Sequence, residues 1–149
     1  QQAQIVKQLR DNGVKQQIAS YSAFSVPGVM QLPEAKGALF PTQAINWNAE
    51  GVSKRLAADW RAKKGKEPNA YVANYYNAVM VFVKLAQALE KAGQPITGEN
   101  LLKMRKQLVN FDMAGGRMEF LANGTVAMPL QLNEIDSGNS KLVKAQLQP

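Results

Sequence analysis

From Ala70 to Ala92 an apolar residue falls at nearly every third or fourth position: Val72, Tyr75, Val79, Phe82, Ala86 and Leu89, with Tyr76, Val83 and Leu85 widening the stripe. That period predicts an amphipathic helix. Pro68 disfavours helix in the residue before it, Asn69 offers a side-chain oxygen to the free amides of the first turn, and Gly93 supplies a left-handed stop. At about 1.5 Å per residue the helix is roughly 35 Å long, and a stripe this wide is expected to lie against a sheet. Asn74, Asn77, Lys84, Gln87 and Glu90 interrupt it too often for a bilayer core.

Shorter patterns flank it. Gln1 to Asn12 is predicted helical, with Ile5, Val6 and Leu9 inward and Gly13 at its end, followed by a short strand near Gln17 to Ser20. Tyr21 to Gly28 reads as the turn at that strand's carboxyl end, leading into a short helix to about Leu32. Gly37 to Pro41 is nearly continuously apolar, as buried parallel strands are, and Thr42 to Trp47 is its outgoing loop. Asn48 is placed to cap a helix whose Val52, Leu56 and Trp60 form a seam ended by Gly65. After the central helix, Thr97 caps another that runs to about Val109, with Ile96 placed to pack on Leu101.

From Gly116 the period changes to alternation, with Met118 and Phe120 on one face and Arg117 and Glu119 on the other. Asn123-Gly124 signals a hairpin in which both central residues take positive φ, with Leu130 and Leu132 on the return strand. Ser137-Gly138-Asn139 makes a second turn before Val143, Ala145 and Leu147. The order predicts an α/β layer with an antiparallel appendage, and 149 residues predict one domain.

Composition narrows the chemistry. The chain has no cysteine and no histidine, which removes thiolate chemistry, the commonest general base and the commonest metal ligand. Asp59, Asp112, Glu119 and Glu134 are scattered, without paired-carboxylate or metal-ligand spacing, so neither catalysis nor a cofactor is expected. The net charge of +7 gathers at Arg61, Lys63, Lys64 and Lys66, where a helix ends, and at Lys103, Arg105 and Lys106. No aromatic residues interleave with these charges, so they read as a solvated face; a basic nucleic-acid-binding α/β domain is the alternative of a different class. Gln1 opens within a helical pattern, so the chain reads as processed or cut.

Binding is the remaining class. Free amides and hydroxyls in the turn Ser22, Ala23 and Phe24, just before a helix start, suit a polar ligand head, although Phe24 also suits an ordinary core. Tyr71 in the first turn of the central helix, with Tyr75 on the same side, is an aromatic wall or plain core. Thr42 and Gln43 follow the second strand and suit either a ligand or a turn.

These features occur in an order that resembles a known family. Ile5-Val6-Lys7-Gln8-Leu9-Arg10 precedes Gly13, Glu34-Ala35-Lys36-Gly37 precedes a strand, and Gly65-Lys66-Glu67-Pro68 precedes Tyr71-Val72. Tyr76-Asn77-Ala78 stands where the family usually has Tyr-Asp-Ala. Ala88-Leu89-Glu90-Lys91-Ala92-Gly93, Phe111-Asp112-Met113-Ala114-Gly115-Gly116 and Met118-Glu119-Phe120 before Asn123-Gly124 complete the set. The chain resembles the type I periplasmic solute-binding proteins of ABC transporters, in the branch typified by the leucine/isoleucine/valine-binding protein.

The resemblance implies most of the C-terminal lobe of a two-lobed fold: a mostly parallel sheet flanked by helices, three layers deep, with a C-terminal antiparallel hairpin region. The N-terminal lobe of the same protein then lies outside the chain. It implies an extracytoplasmic location, periplasmic or extracellular, reached by a precursor with a signal peptide, a small-molecule solute held in the interlobe cleft, a membrane permease as partner, and no nucleic acid. The cleft residues it implies are Ser22, Ala23, Phe24 and Tyr71. Amino-acid binders of the family often place a carboxylate near the first turn to meet the ligand's ammonium, and Tyr21 to Pro33 contains no acid.

Overall fold

The computed structural model describes residues 1–147, and their contacts divide into two compact units. One comprises Gln1–Ala44 with the strands from Leu130 onward; the other comprises Ile45–Pro129. Length alone predicts a single domain. The chain instead builds two separate apolar cores, one in each unit.

In the first unit, α1 (Gln2–Asp11) turns Val6 inward but leaves Ile5 exposed, against expectation. The strand predicted at Gln17 to Ser20 is reduced to one parallel bridge, Ala19 to Leu39. A 3₁₀ turn (Ser22–Ser25), the one-turn helix α2 (Pro27–Met30) and a second 3₁₀ turn (Pro33–Ala35) lead to β1 (Leu39–Gln43). Strand β1 therefore starts two residues later than predicted and takes in Thr42 and Gln43. It pairs antiparallel with β5 (Leu130–Asp136), which pairs antiparallel with β6 (Asn139–Leu147). Val6, Phe24, Val29, Ala35, Ala38, Phe40 and Ile135 form the core beneath this sheet.

The expected mostly parallel sheet is thus corrected. Among the described residues both sheets are antiparallel, because β1 takes its neighbour from a strand that returns late in the chain rather than from a strand–helix–strand crossover. Leu130 and Leu132 accordingly belong to the first unit and not to the return strand of the Asn123-Gly124 hairpin.

In the second unit, α3 (Val52–Lys64) starts at Gly51 with no side-chain cap, since Asn48 instead donates its backbone N–H to Asn46 Oδ1. The central helix α4 (Ala70–Lys91) is capped as expected, Asn69 Oδ1 accepting from the Val72 amide at 3.2 Å. Thr97 likewise caps α5 (Gly98–Gln107) through the Asn100 amide. Strands β2 (Asn110–Met113), β3 (Gly116–Phe120) and β4 (Val126–Ala127) form an antiparallel sheet. Leu85, Phe111, Met113 and Met118 make its core, with Phe111 edge-on to Phe120 at 5.8 Å between ring centroids.

One turn departs from its expected chemistry. At Asn123-Gly124 only Gly124 takes positive φ, and the Asn123 side chain accepts from the Thr125 amide and hydroxyl instead. The two-residue turn with both φ positive is Ser137-Gly138, joining β5 to β6.

Helix α4 holds the largest departure. Its covered face carries Ala73, Asn77, Leu85 and Leu89. Val79 and Phe82, expected in the core, are 62% and 53% exposed, and Tyr75, expected in the core or in an aromatic wall, is 76% exposed.

Candidate functional site

The turn Tyr21 to Ser25 is held from within. Phe24 N donates to the Tyr21 carbonyl at 3.0 Å and Ser25 Oγ to the Ser22 carbonyl at 2.6 Å, so the chain tightens into a 3₁₀ turn. This geometry leaves Tyr21 and Ser22 exposed and Ala23 half-buried, while the Phe24 ring, 4% exposed, sits in the core with Phe40 and Ile135. Beside the turn lies a shallow depression of about 480 Å³, lined by Tyr21, Ala23, Val26, Gly28, Val29 and the first residues of α1. Helix α2 has only one turn and no capping side chain.

Thr42 sits on β1, half-buried, and its Oγ1 accepts from Asn133 Nδ2 at 2.9 Å. Asn133, 2% exposed, in turn accepts from Gln131 Nε2 at 3.0 Å. The Thr42 hydroxyl also donates to the Gln43 carbonyl across a long 3.4 Å. Thr42 and the 3₁₀ turn belong to the first unit.

Tyr71 and Tyr75 belong to the second. Tyr71 stands in the first turn of α4, 39% exposed, and Tyr75 follows one turn later on the same side.

Sequence reasoning missed one cluster. Asn77, 3% exposed, donates Nδ2 to the Ala114 carbonyl at 2.9 Å and accepts the Ala114 amide on Oδ1 at 3.0 Å. Ser53 Oγ accepts the Gly115 amide at 3.0 Å. Gly115 sits at φ +93°, a conformation that favours glycine, and a Cβ there would press on Ile45 Cγ1 at 3.2 Å. Helices α3 and α4 thus hold the turn between β2 and β3 through polar groups. An Asn inside an apolar helix was the one signal available.

Electrostatically the site is plain. Among the described residues no group of three or more Asp or Glu is placed to hold a metal, and no helix is long and apolar enough to cross a membrane.

The sequence profile of the periplasmic binding protein family matches residues 1–140. No curated protein sequence matches. Among solved structures, the leucine-binding protein LivK of Thermotoga maritima overlays 99% of this chain at a TM-score of 0.78 and 26% identity, with 41% of its own length covered. The branched-chain amino acid binding protein LivJ of Streptococcus pneumoniae, in complex with isoleucine, gives 0.70 and 17% over 99% of this chain and 41% of its own. A solute-binding protein of R. palustris, in complex with benzoate, gives 0.69 and 11% over the same shares. The chain spans about two fifths of the length of the structures it matches. With its profile matched from residue 1 to 140, this chain belongs to the periplasmic binding protein family, one of binding proteins rather than enzymes.

Proposed function

We propose that the chain is part of the solute-binding component of an ABC importer, working outside the cytoplasmic membrane and passing a small organic solute to a membrane permease. The match of the family profile to nearly the whole chain carries this reading. The solute is an amino acid or an aromatic or aliphatic carboxylate, held as the two lobes of the intact protein close on a hinge. The matched proteins are named for leucine binding or hold isoleucine or benzoate. Because Tyr21 to Pro33 carries no acid to meet an ammonium, an anionic solute with an apolar body is the better fit.

From this chain we propose Ser22, Ala23 and the Thr42 hydroxyl as polar contacts, with Phe24 holding the turn that presents them, because its ring is committed to the core and its N–H to the Tyr21 carbonyl. Tyr71 is the proposed aromatic contact, with Tyr75 behind it. Calorimetric titration of the intact protein with benzoate, leucine and isoleucine tests the reading, and binding of at least one solute in the micromolar range is expected. A protein that binds none of them, retains no organic molecule in native mass spectrometry and holds duplex DNA at physiological salt would overturn it.

A further inference from the structure

The sequence contains two Asn-Gly dipeptides, Asn12-Gly13 and Asn123-Gly124, both exposed. Such a pair can react within itself, because glycine has no side chain to shield its backbone nitrogen from the preceding side-chain amide. By sequence the two are alike; by structure they are not.

Asn12 closes helix α1. Its Nδ2 donates to the Gln8 carbonyl at 2.7 Å, and its backbone N–H donates to the same carbonyl at 3.0 Å. Gly13 and Val14 donate to the carbonyls of Arg10 and Leu9. Ring closure there has to pull the side chain off the helix and open its last turn. Asn123 stands in the turn between β3 and β4, where its Oδ1 accepts two hydrogen bonds, from the Thr125 N–H at 3.0 Å and the Thr125 hydroxyl at 2.7 Å. The glycine N–H is bonded in both places, Gly124 to the Leu121 carbonyl and Gly13 to the Arg10 carbonyl, each at 2.9 Å. The nucleophile therefore does not separate the two sites, whereas the two donors on Asn123 Oδ1 do.

We propose that Asn123 is a site of spontaneous modification, converted through a cyclic imide to aspartate and isoaspartate, with Thr125 acting as an oxyanion hole. The Gly124 nitrogen, deprotonated by hydroxide, attacks Asn123 Cγ. As that C–N bond forms, the π pair of the Cγ–Oδ1 bond moves onto oxygen. Negative charge thus develops on the atom to which the Thr125 N–H and hydroxyl already donate, and donors placed in advance on a developing oxyanion lower the barrier. Collapse of the intermediate breaks the Cγ–Nδ2 bond, and Nδ2 leaves as ammonia with a proton from water. A further water opens the five-membered imide at either carbonyl, giving aspartate by one cleavage and isoaspartate by the other; nothing is oxidised or reduced. Either product places a new carboxylate in the turn. Isoaspartate also adds a main-chain carbon, out of step with the pairing of Glu119 with Ala127 and Phe120 with Val126. The reaction is independent of any solute and of the reading of the chain as a transport component.

The test incubates the full chain at neutral pH, in native buffer and in urea, and follows the peptide bearing each Asn-Gly pair by mass spectrometry. An isoaspartate-specific carboxyl methyltransferase supplies a second readout. In native buffer Asn123 should convert at least about ten times faster than Asn12, and in urea the two rates should agree within about threefold, because only the fold separates them. Thr125→Val keeps the N–H and the side-chain shape but removes the hydroxyl. It should slow Asn123 about three- to tenfold in native buffer, less than the roughly 100-fold of a water-excluded enzyme site, and leave Asn12 unchanged. Thr125→Ser should restore the rate. Native rates that are equal, or faster at Asn12, would overturn the proposal, as would a Thr125→Val variant that converts as fast as the parent. A rate difference that survives urea would assign the effect to flanking residues and overturn it as well.

Discussion

The apolar residues of α4 come from one sequence pattern and have opposite fates. Leu85 and Leu89 are buried, as is Asn77, which satisfies both backbone groups of Ala114. Tyr75, Val79 and Phe82 have the larger side chains and stand exposed. Hydrophobic periodicity reports that a face wants burial; it carries no information on which part of a polypeptide supplies the cover. The contrast also shows that the more polar of the two sets is the one that organises the unit, because a buried amide must be matched by partners at fixed positions whereas an apolar ring accepts any apolar neighbour.

The largest expected effect tests that assignment directly. Leu89→Ala, at a residue 1% exposed, should cost about 2 to 5 kcal/mol of stability in this chain, whereas Phe82→Ala should cost only about 1 kcal/mol despite the larger side chain. Urea melts of both variants check it, and a greater loss for Phe82→Ala would reverse the assignment. Next in size is Asn77→Leu, which strands the amide and carbonyl of Ala114 and should cost about 3 kcal/mol.

Asn77→Asp sharpens the point through its pH dependence. A carboxyl can accept from the Ala114 amide in either state but can donate to the carbonyl only when protonated, so its folded pKa should rise above the unfolded value of about 3.9. Stability of that variant should be greatest below the unfolded pKa and fall as pH rises through the folded one. A flat pH profile would mean that the Ala114 carbonyl finds another donor.

Much of the local structure was legible. The caps at Asn69 and Thr97, the stop at Gly65 and the alternation of Met118 and Phe120 with Arg117 and Glu119 each depend on neighbours within a few residues, which is where sequence patterns act. What failed depends on distant partners. Strand β1 pairs with β5 about ninety residues later, and no local pattern distinguishes that pairing from a parallel one. The geometry expected at Asn123-Gly124 is found at Ser137-Gly138 instead, because strand register, set by packing, decides how many residues a turn must span. Of the proposed site, Ser22 and Tyr71 are exposed, while Phe24 went to the core because the 3₁₀ turn points its ring at Phe40 and Ile135.

Tyr71 extends the comparison to the start of the helix. If it faces solute while Phe82 does not, then in the intact protein Tyr71→Ala should weaken solute binding about tenfold or more and leave the melting temperature nearly unchanged, and Phe82→Ala should leave the affinity unchanged. Calorimetry and thermal melts on the two variants give all four numbers. Equal affinities with a large fall in melting temperature for Tyr71→Ala would give Tyr71 to packing and remove it from the site.

The smallest effect concerns the link that precedes the helix. Arg61 near the end of α3 donates Nε and a terminal nitrogen to the two carboxylate oxygens of Glu67, each at 2.7 Å. These hydrogen bonds, and then the Arg61 charge, hold the Glu67 carboxyl below its usual value and raise the guanidinium above its own. A depressed carboxyl stabilises the fold above the unfolded pKa and loses that contribution as pH falls through the folded one. Water and salt screen an exposed pair, so the contribution is small even where geometry is bidentate. Glu67→Gln should therefore shift the melting temperature at pH 7 by no more than about 2 °C and flatten only the acid limb of the stability profile. The start of α4 is already fixed by the Asn69 cap and by Pro68, which is buried beside it. A much larger loss on Glu67→Gln would show instead that the ion pair sets the helix start, and that the exposed stripe is held in place from outside the helix rather than by its covered face.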